Sequence, residues 1–170
     1  MAATPEELLA RLEALGIQAK TYQHAPLFTV EDSRALRGSI PGLHSKNLFV
    51  RDRKKRYFLV TVEEDAQVDL KLLHLSIGAQ GKVSFGSAEA LMELWGVKPG
   101  SVTPFGAIND PDHQVSVVLE RQLAEAPLVN FHPLDNCQTT TLSGPELMRF
   151  LSACGHEPIL IDLPLPQAQP

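Results

Sequence analysis

Three stretches of this chain carry residue types that can do chemistry. In His44-Ser45-Lys46-Asn47-Leu48-Phe49-Val50, a lysine sits in a polar turn that feeds an apolar strand. Its compact ammonium can pair with a phosphate or with an ester carbonyl that gains negative charge. Unit charges about 4 Å apart attract by about 4 kcal/mol at an effective dielectric near 20, before desolvation, which is enough to position a substrate. Ser45 and Asn47 flank the lysine and can hydrogen-bond a substrate or merely shape the turn. The second stretch is Gly100-Ser101-Val102-Thr103-Pro104-Phe105-Gly106-Ala107-Ile108-Asn109. Glycine lets backbone amides approach a ligand, and proline stiffens the loop. Exposed amides there, Gly106 included, can hold an oxyanion or a ribose. The third is Val129-Asn130-Phe131-His132-Pro133-Leu134-Asp135. A residue before proline is held extended, which aims the His132 imidazole reproducibly. Each stretch has a plainer reading: a solvated lysine at a strand entrance, a tight helix-to-strand connection, and a strand-end histidine bonded to a neighbour.

Other chemistries lack their signatures. No GxSxG elbow and no GxxxxGK[ST] or GxGxxG phosphate loop occurs. His24, His44, His74, His113, His132 and His156 show neither HExxH nor paired metal-ligand spacing, so no metal is expected. Cys137 and Cys154 form no CxxC pair and read as small packing residues with reduced thiols. Asp112 and Asp135 can bond polar substrate groups, although Asn109-Asp110-Pro111-Asp112 is also ordinary turn composition. The basic run Arg51 to Arg56 reads first as a soluble hairpin tip; Arg34 and Arg37 are comparable candidates for an RNA contact.

The elements that must position these residues follow from local signals. Thr4, Pro5 and Glu7 form a capping box that opens a helix over about 4–16, striped by Leu8, Leu9, Leu12 and Leu15 and stopped by Gly16. Ile17 to Tyr22 reads as a strand. Thr29 caps a helix to Arg37. Leu48 to Arg51 and Tyr57 to Val62 form a hairpin. Helices are predicted from about Asp69 to Ile77 and from Ala88 to Trp95, the latter capped by Ser87 and ended by Gly96. Val83 to Phe85, Val115 to Glu120, Leu128 to Phe131 and Thr139 to Leu142 read as strands. A second capping box, Ser143 to Glu146, opens a last helix that stops at Gly155. Pro158 to Leu163 is a final strand, and the tail 164–170 is expected to fray. Strands interrupted by helices without a strict βαβ rhythm indicate α+β.

At 170 residues the chain is expected to be one domain, 1–170. Its 44% hydrophobic and 21% charged content is that of a globular protein. No apolar run reaches the roughly 20 residues of a membrane helix, and the N-terminus lacks a signal-peptide pattern, so a cytoplasmic location is expected. A net charge of −5 and a pI near 5.6 count against a general DNA binder. They leave room for a protein that touches only the end of an RNA.

Taken together and in order, Lys46 with its flanks, the GxxxP segment Gly100 to Pro104 with Phe105-Gly106, and His132-Pro133 resemble the YbaK-like aminoacyl-tRNA deacylase domain, and within it the stand-alone prolyl-tRNA editing proteins. The resemblance spans roughly Leu27 to Leu163. It implies a mixed, strongly curved β-sheet packed against helices. It implies hydrolysis of alanine from mischarged proline tRNA in trans, with water as nucleophile. The partners implied are the acceptor end of aminoacylated tRNA and, as a further option, prolyl-tRNA synthetase. Lys46 would position the substrate, the Gly100–Gly106 loop would hold the reacting end, and His132 would line the aminoacyl pocket. Phe28, Leu43, Phe105 and Ile108 would wall a small apolar pocket. A sibling specificity for cysteine on proline tRNA stays open. So does a non-catalytic module that binds tRNA or a synthetase.

Overall fold

A computed structural model describes residues 2–26, 30–37 and 39–166, without the side chains of Val30, Ser33, Leu36 and Arg37. Phe28 and the expected cap Thr29 lie outside the described residues.

Helix α1, Pro5–Ala14, begins as its sequence dictates: the Thr4 hydroxyl accepts from the Glu7 amide at 3.1 Å, and Glu7 returns a bond to the Thr4 amide. Then follow β1 (Lys20–Gln23), α2 (Val30–Arg37), β2 (Leu43–Arg51), β3 (Tyr57–Glu63), α3 (Leu70–Ile77), β4 (Ser84–Phe85) and α4 (Ala88–Trp95). A 3-10 helix, Pro104–Asn109, precedes β5 (Val115–Glu120), α5 (Arg121–Glu125), β6 (Val129–Phe131), β7 (Gln138–Leu142), α6 (Gly144–Ala153) and β8 (Ile159–Ile161). The described strands form one mixed sheet in the order β1-β7-β6-β2-β3-β5-β8, with β4 beside β2. The α+β expectation holds.

Strand β2 joins the two halves. It pairs parallel with β6 only at Leu43↔Val129 and His44↔Asn130, then antiparallel with β3 from Ser45↔Glu63 to Arg51↔Tyr57. It therefore starts five residues before the expected Leu48. Lys46 lies inside the strand, opposite Val62, rather than in a turn before it. The polar residues 44–47 give no strand signal of their own; partners on both sides supply their ladder.

One face of the sheet carries the larger core. Phe49, Leu59, Val117, Leu119, Val129, Phe131 and Leu142 pack there against Leu8 and Leu12 of α1, Trp95 of α4, Phe105 of the 3-10 helix and Phe150 of α6. The opposite face is apolar only over β2, β3, β5 and β8, where Val50, Phe58, Val60, Val62 and Val118 meet Leu73 and Ile77 of α3. Burying each such side chain contributes about 1.5–3 kcal/mol. The expected fraying from Pro164 is corrected at Leu165, which packs into this second core. Residues 167–170 lie outside the described residues. Among the described residues, no helix is long and apolar enough to cross a membrane.

Candidate functional site

The half of the second face over β1, β7 and β6 is polar, and the register says why. Val129, Phe131 and Leu142 point into the larger core, so their neighbours Asn130, Thr139 and Thr141 point the other way. Lys20↔Thr141, Thr141↔Asn130 and Asn130↔His44 form one row across β1, β7, β6 and β2. Tyr22↔Thr139 belongs to the next row, and strand alternation turns Lys46 and His132, each two residues past the last β2–β6 pair, toward the same face. Lys46 and His132 thus occupy equivalent positions where two parallel strands stop pairing and part.

Asn130 fixes that parting. It is buried, its Nδ2 donates to the Pro41 and Leu43 carbonyls at 3.0 and 3.1 Å, and its Oδ1 accepts from Thr141 Oγ1. Ser45 Oγ donates to the Asn130 carbonyl at 3.0 Å. Lys46 itself is half-buried and has no carboxylate or hydrogen-bond partner among the described residues. Ser45 and Asn47 alternate to the opposite face, where Asn47 Oδ1 accepts from Thr61 at 2.6 Å. Both side chains therefore bond the scaffold on the face away from Lys46.

His132 Nδ1 lies 2.9 Å from the Gln138 carbonyl. A carbonyl only accepts, so Nδ1 carries the proton and Nε2 of the neutral ring keeps its lone pair. Burial holds this histidine below its ordinary value, helped by His24; the Gln138 carbonyl and Asp135 only partly offset it. The ring is therefore neutral at pH 7. Asp135 is held low by the Cys137 amide at 3.0 Å and the Gln138 amide group at 3.2 Å. His24 closes the cluster. Its ring centroid is 6.3 Å from that of His132, and its Nε2 is 2.8 Å from Thr139 Oγ1. Sequence motifs missed His24 and Asn130, because each matters only through the register of strands far apart in the chain.

The glycine-proline segment needs correction. Gly100, at φ 92°, lies in an exposed turn beside Asn136 of the turn that follows His132. Pro104, Phe105 and Gly106 are instead buried. Phe105 is wholly enclosed between Phe131 and Phe150, at centroid distances of 5.9 and 5.4 Å, so it walls no pocket. The Gly106 amide already donates to the Thr103 carbonyl at 3.1 Å, so it holds no oxyanion. Glycine is required there because a Cβ would fall 2.1 Å from Trp95 Nε1. Ile108 packs against the larger core, on the face away from Lys46. Asp112 is also misplaced. It precedes Val115, which pairs Tyr57 at the hairpin end, whereas Lys46 pairs Val62 at the other. Five residues of strand separate the two ends by roughly 17 Å.

The basic hairpin tip is organised internally. Asp52 Oδ1 accepts from the Lys54 and Arg56 amides and Oδ2 from the Gln80 amide, each at 2.9 Å. Cys137 and Cys154 are free thiols, and burial pushes Cys154 up.

Residues 24–150 match the aminoacyl-tRNA editing domain family. Prolyl-tRNA synthetase associated domain-containing protein 1 of Mus musculus is 37% identical over 160 residues, 92% of this chain and 94% of that protein. Prolyl-tRNA editing protein ProX of Acetoanaerobium sticklandii is 34% identical over 152 residues, covering 89% and 92%. A crystal structure described as a candidate trans-editing enzyme for prolyl tRNA synthetase shares the fold, with a TM-score of 0.69 at 20% identity over 95% of this chain and 98% of that one. With most of its length matched and a third or more of its residues identical to such relatives, this chain belongs to the aminoacyl-tRNA editing domain family.

Proposed function

We propose that this protein is a cytoplasmic hydrolase that removes alanine from mischarged proline tRNA in trans. The observation that carries the reading is Lys46: a half-buried ammonium with no described partner, two residues beyond the last β2–β6 pair, as the neutral His132 is on the other strand. An unpaired cation there is free for a substrate anion, either a phosphate of the tRNA end or the oxygen that gains charge as the ester is attacked. His132 Nε2, with no described partner, accepts a hydrogen bond from the attacking water. An aminoacyl ester is already activated, so water serves as nucleophile, assisted by the terminal hydroxyl of the tRNA itself. The need for such a second site is energetic. A synthetase pocket shaped for proline excludes smaller alanine weakly, at about 1–3 kcal/mol per missing methylene, whereas a smaller pocket rejects proline by steric clash.

The test is deacylation of Ala-, Cys- and Pro-tRNA(Pro) by the wild type and by Lys46→Ala. Alanine should be lost and proline retained. Removing one charge-assisted bond should lower kcat/KM roughly ten- to a hundredfold. Turnover of the cysteinyl ester alone would shift the assignment to that sibling activity. Tight binding of charged tRNA without turnover would replace the hydrolase with a binding module, whose partner would be the tRNA or prolyl-tRNA synthetase.

A further inference from the structure

The polar face continues past His132 to β1, and its use there goes beyond the ester. Lys20 and Tyr22 point to that face, and the Lys20 ammonium lies 4.8 Å from the Tyr22 ring centroid. Tyr22 stands two strand spacings from His132, roughly 10 Å. A groove of about 450 Å³ opens beside it, lined by Lys20, Tyr22, Pro41, Leu128, Thr141 and Glu146 among others. Glu146 is only half-buried and lines this groove, and one of its carboxylate oxygens, Oε2, has no hydrogen-bond partner among the described residues. A carboxylate in that wall is an acceptor for a donor that a ligand brings.

We propose that this groove holds the cytosine next to the terminal adenosine of the tRNA, an inference that rests on the editing reading above. A single-stranded base offers a flat face to an aromatic ring, and its phosphate offers an anion to a lysine. Tyr22 and Lys20 supply these two partners on the surface of an otherwise acidic protein. Among the pyrimidines, cytosine presents an amino donor at N4 where uracil presents a carbonyl. Glu146 can accept from the first and repels the second. Lys46 then holds the reacting end while β1 holds the strand that leads to it.

The test uses uncharged RNA, so it needs no turnover. Fluorescence anisotropy would compare a labelled acceptor-stem hairpin ending in CCA with the same hairpin ending in CUA. The wild type should bind CCA about tenfold more tightly, and Glu146→Ala should erase that preference. Tyr22→Ala should weaken both about tenfold, Tyr22→Phe should not, and Lys20→Ala should flatten the salt dependence. Thermal unfolding would confirm that each variant is folded, and the Ser143 cap of α6 does not need Glu146. Equal affinity of the wild type for the two RNAs, no binding of either, or an unaffected Tyr22→Ala would overturn the assignment. A wild type that deacylates yet ignores the cytosine would sink the groove alone. One that prefers the cytosine yet never deacylates would sink the hydrolase and leave the groove.

Discussion

Gly106→Ala separates two explanations of a glycine that lies in a family motif. If its amide served the reaction, alanine would keep that donor but its Cβ would block the substrate's close approach, so activity should fall while the fold stands. If the residue exists to admit Trp95, alanine should break the fold. The geometry favours packing: a Cβ would sit 2.1 Å from Trp95 Nε1, 2.2 Å from Cδ1 and 2.6 Å from Cε2. Trp95 is enclosed completely, and its Nε1 donates to the Thr103 carbonyl at 2.7 Å. It can retreat only by overpacking the core, at about 1–3 kcal/mol. Retreat also leaves the indole N–H unsatisfied, at about 1–3 kcal/mol more. The sum is roughly 2–6 kcal/mol, or a fall in Tm of roughly 5–20 °C for a chain of this size. Trp95 is the only tryptophan, so its emission and near-UV circular dichroism report the displacement directly. Below the lowered Tm, activity per folded molecule should stay close to wild type. A variant with wild-type Tm and emission but no deacylation would refute the packing argument and return Gly106 to the reaction.

Three further outcomes follow from the bonds described. His132 has a folded value below its unfolded value near 6.5, so its contribution to stability is complete above about pH 6.5 and is lost as pH falls through the folded value. Deacylation should be flat at neutral pH and fall on an acid limb with a midpoint below about 6.5, absent in His132→Gln; a midpoint above that value contradicts the burial argument. Asp52 is pushed up by burial, but the Gln80, Arg56 and Lys54 amides outweigh this and hold it below its ordinary value. Asp52→Asn should cost about 1–3 kcal/mol at pH 7 in urea titrations, and the gap from wild type should close as pH falls through that lowered value. Asn130→Asp replaces a donor to two carbonyls with a carboxylate facing them, and should lower both stability and kcat. Unchanged kcat in the folded variant would show that the parting of β2 from β6 does not position Lys46.

What the chain reveals on its own depends on how local the cause is. Helix α1 is legible because Thr4, Pro5 and Glu7 settle its start within one turn. Helix α4 is legible for the same reason, with Ser87 at one end and left-handed Gly96 at the other. The first half of β2 is not, since residues 44–47 are polar and their strand state comes from β6 and β3. The segment 104–109 reads as a loop from its proline and glycine. Only Trp95, Phe131 and Phe150 make it a buried helical turn. Lys46 and His132 were visible as types in a motif, while their alignment required a register between strands more than eighty residues apart. Asp112 was misassigned because turn composition does not say at which end of a sheet the turn lies.

The acidic balance of the chain and its place in the aminoacyl-tRNA editing domain family are reconciled by where its cations stand. Much of the basic charge is at the hairpin tip, where Asp52 ties down the backbone and the Arg56 guanidinium lies over the Phe58 ring. That end of β2 is the far end from Lys46. The polar face carries Lys46 on β2 and Lys20 on β1, in adjacent rows with Asn130, Thr139 and Thr141 between their strands. A broad basic surface would bind any nucleic acid along its length. Two lysines in adjacent rows, with a histidine kept neutral beside Lys46, instead suit the proposed substrate, the single-stranded end of an RNA, where few phosphates are met. On the proposed reading, a net charge of −5 fits a protein that meets the end of the tRNA rather than its body.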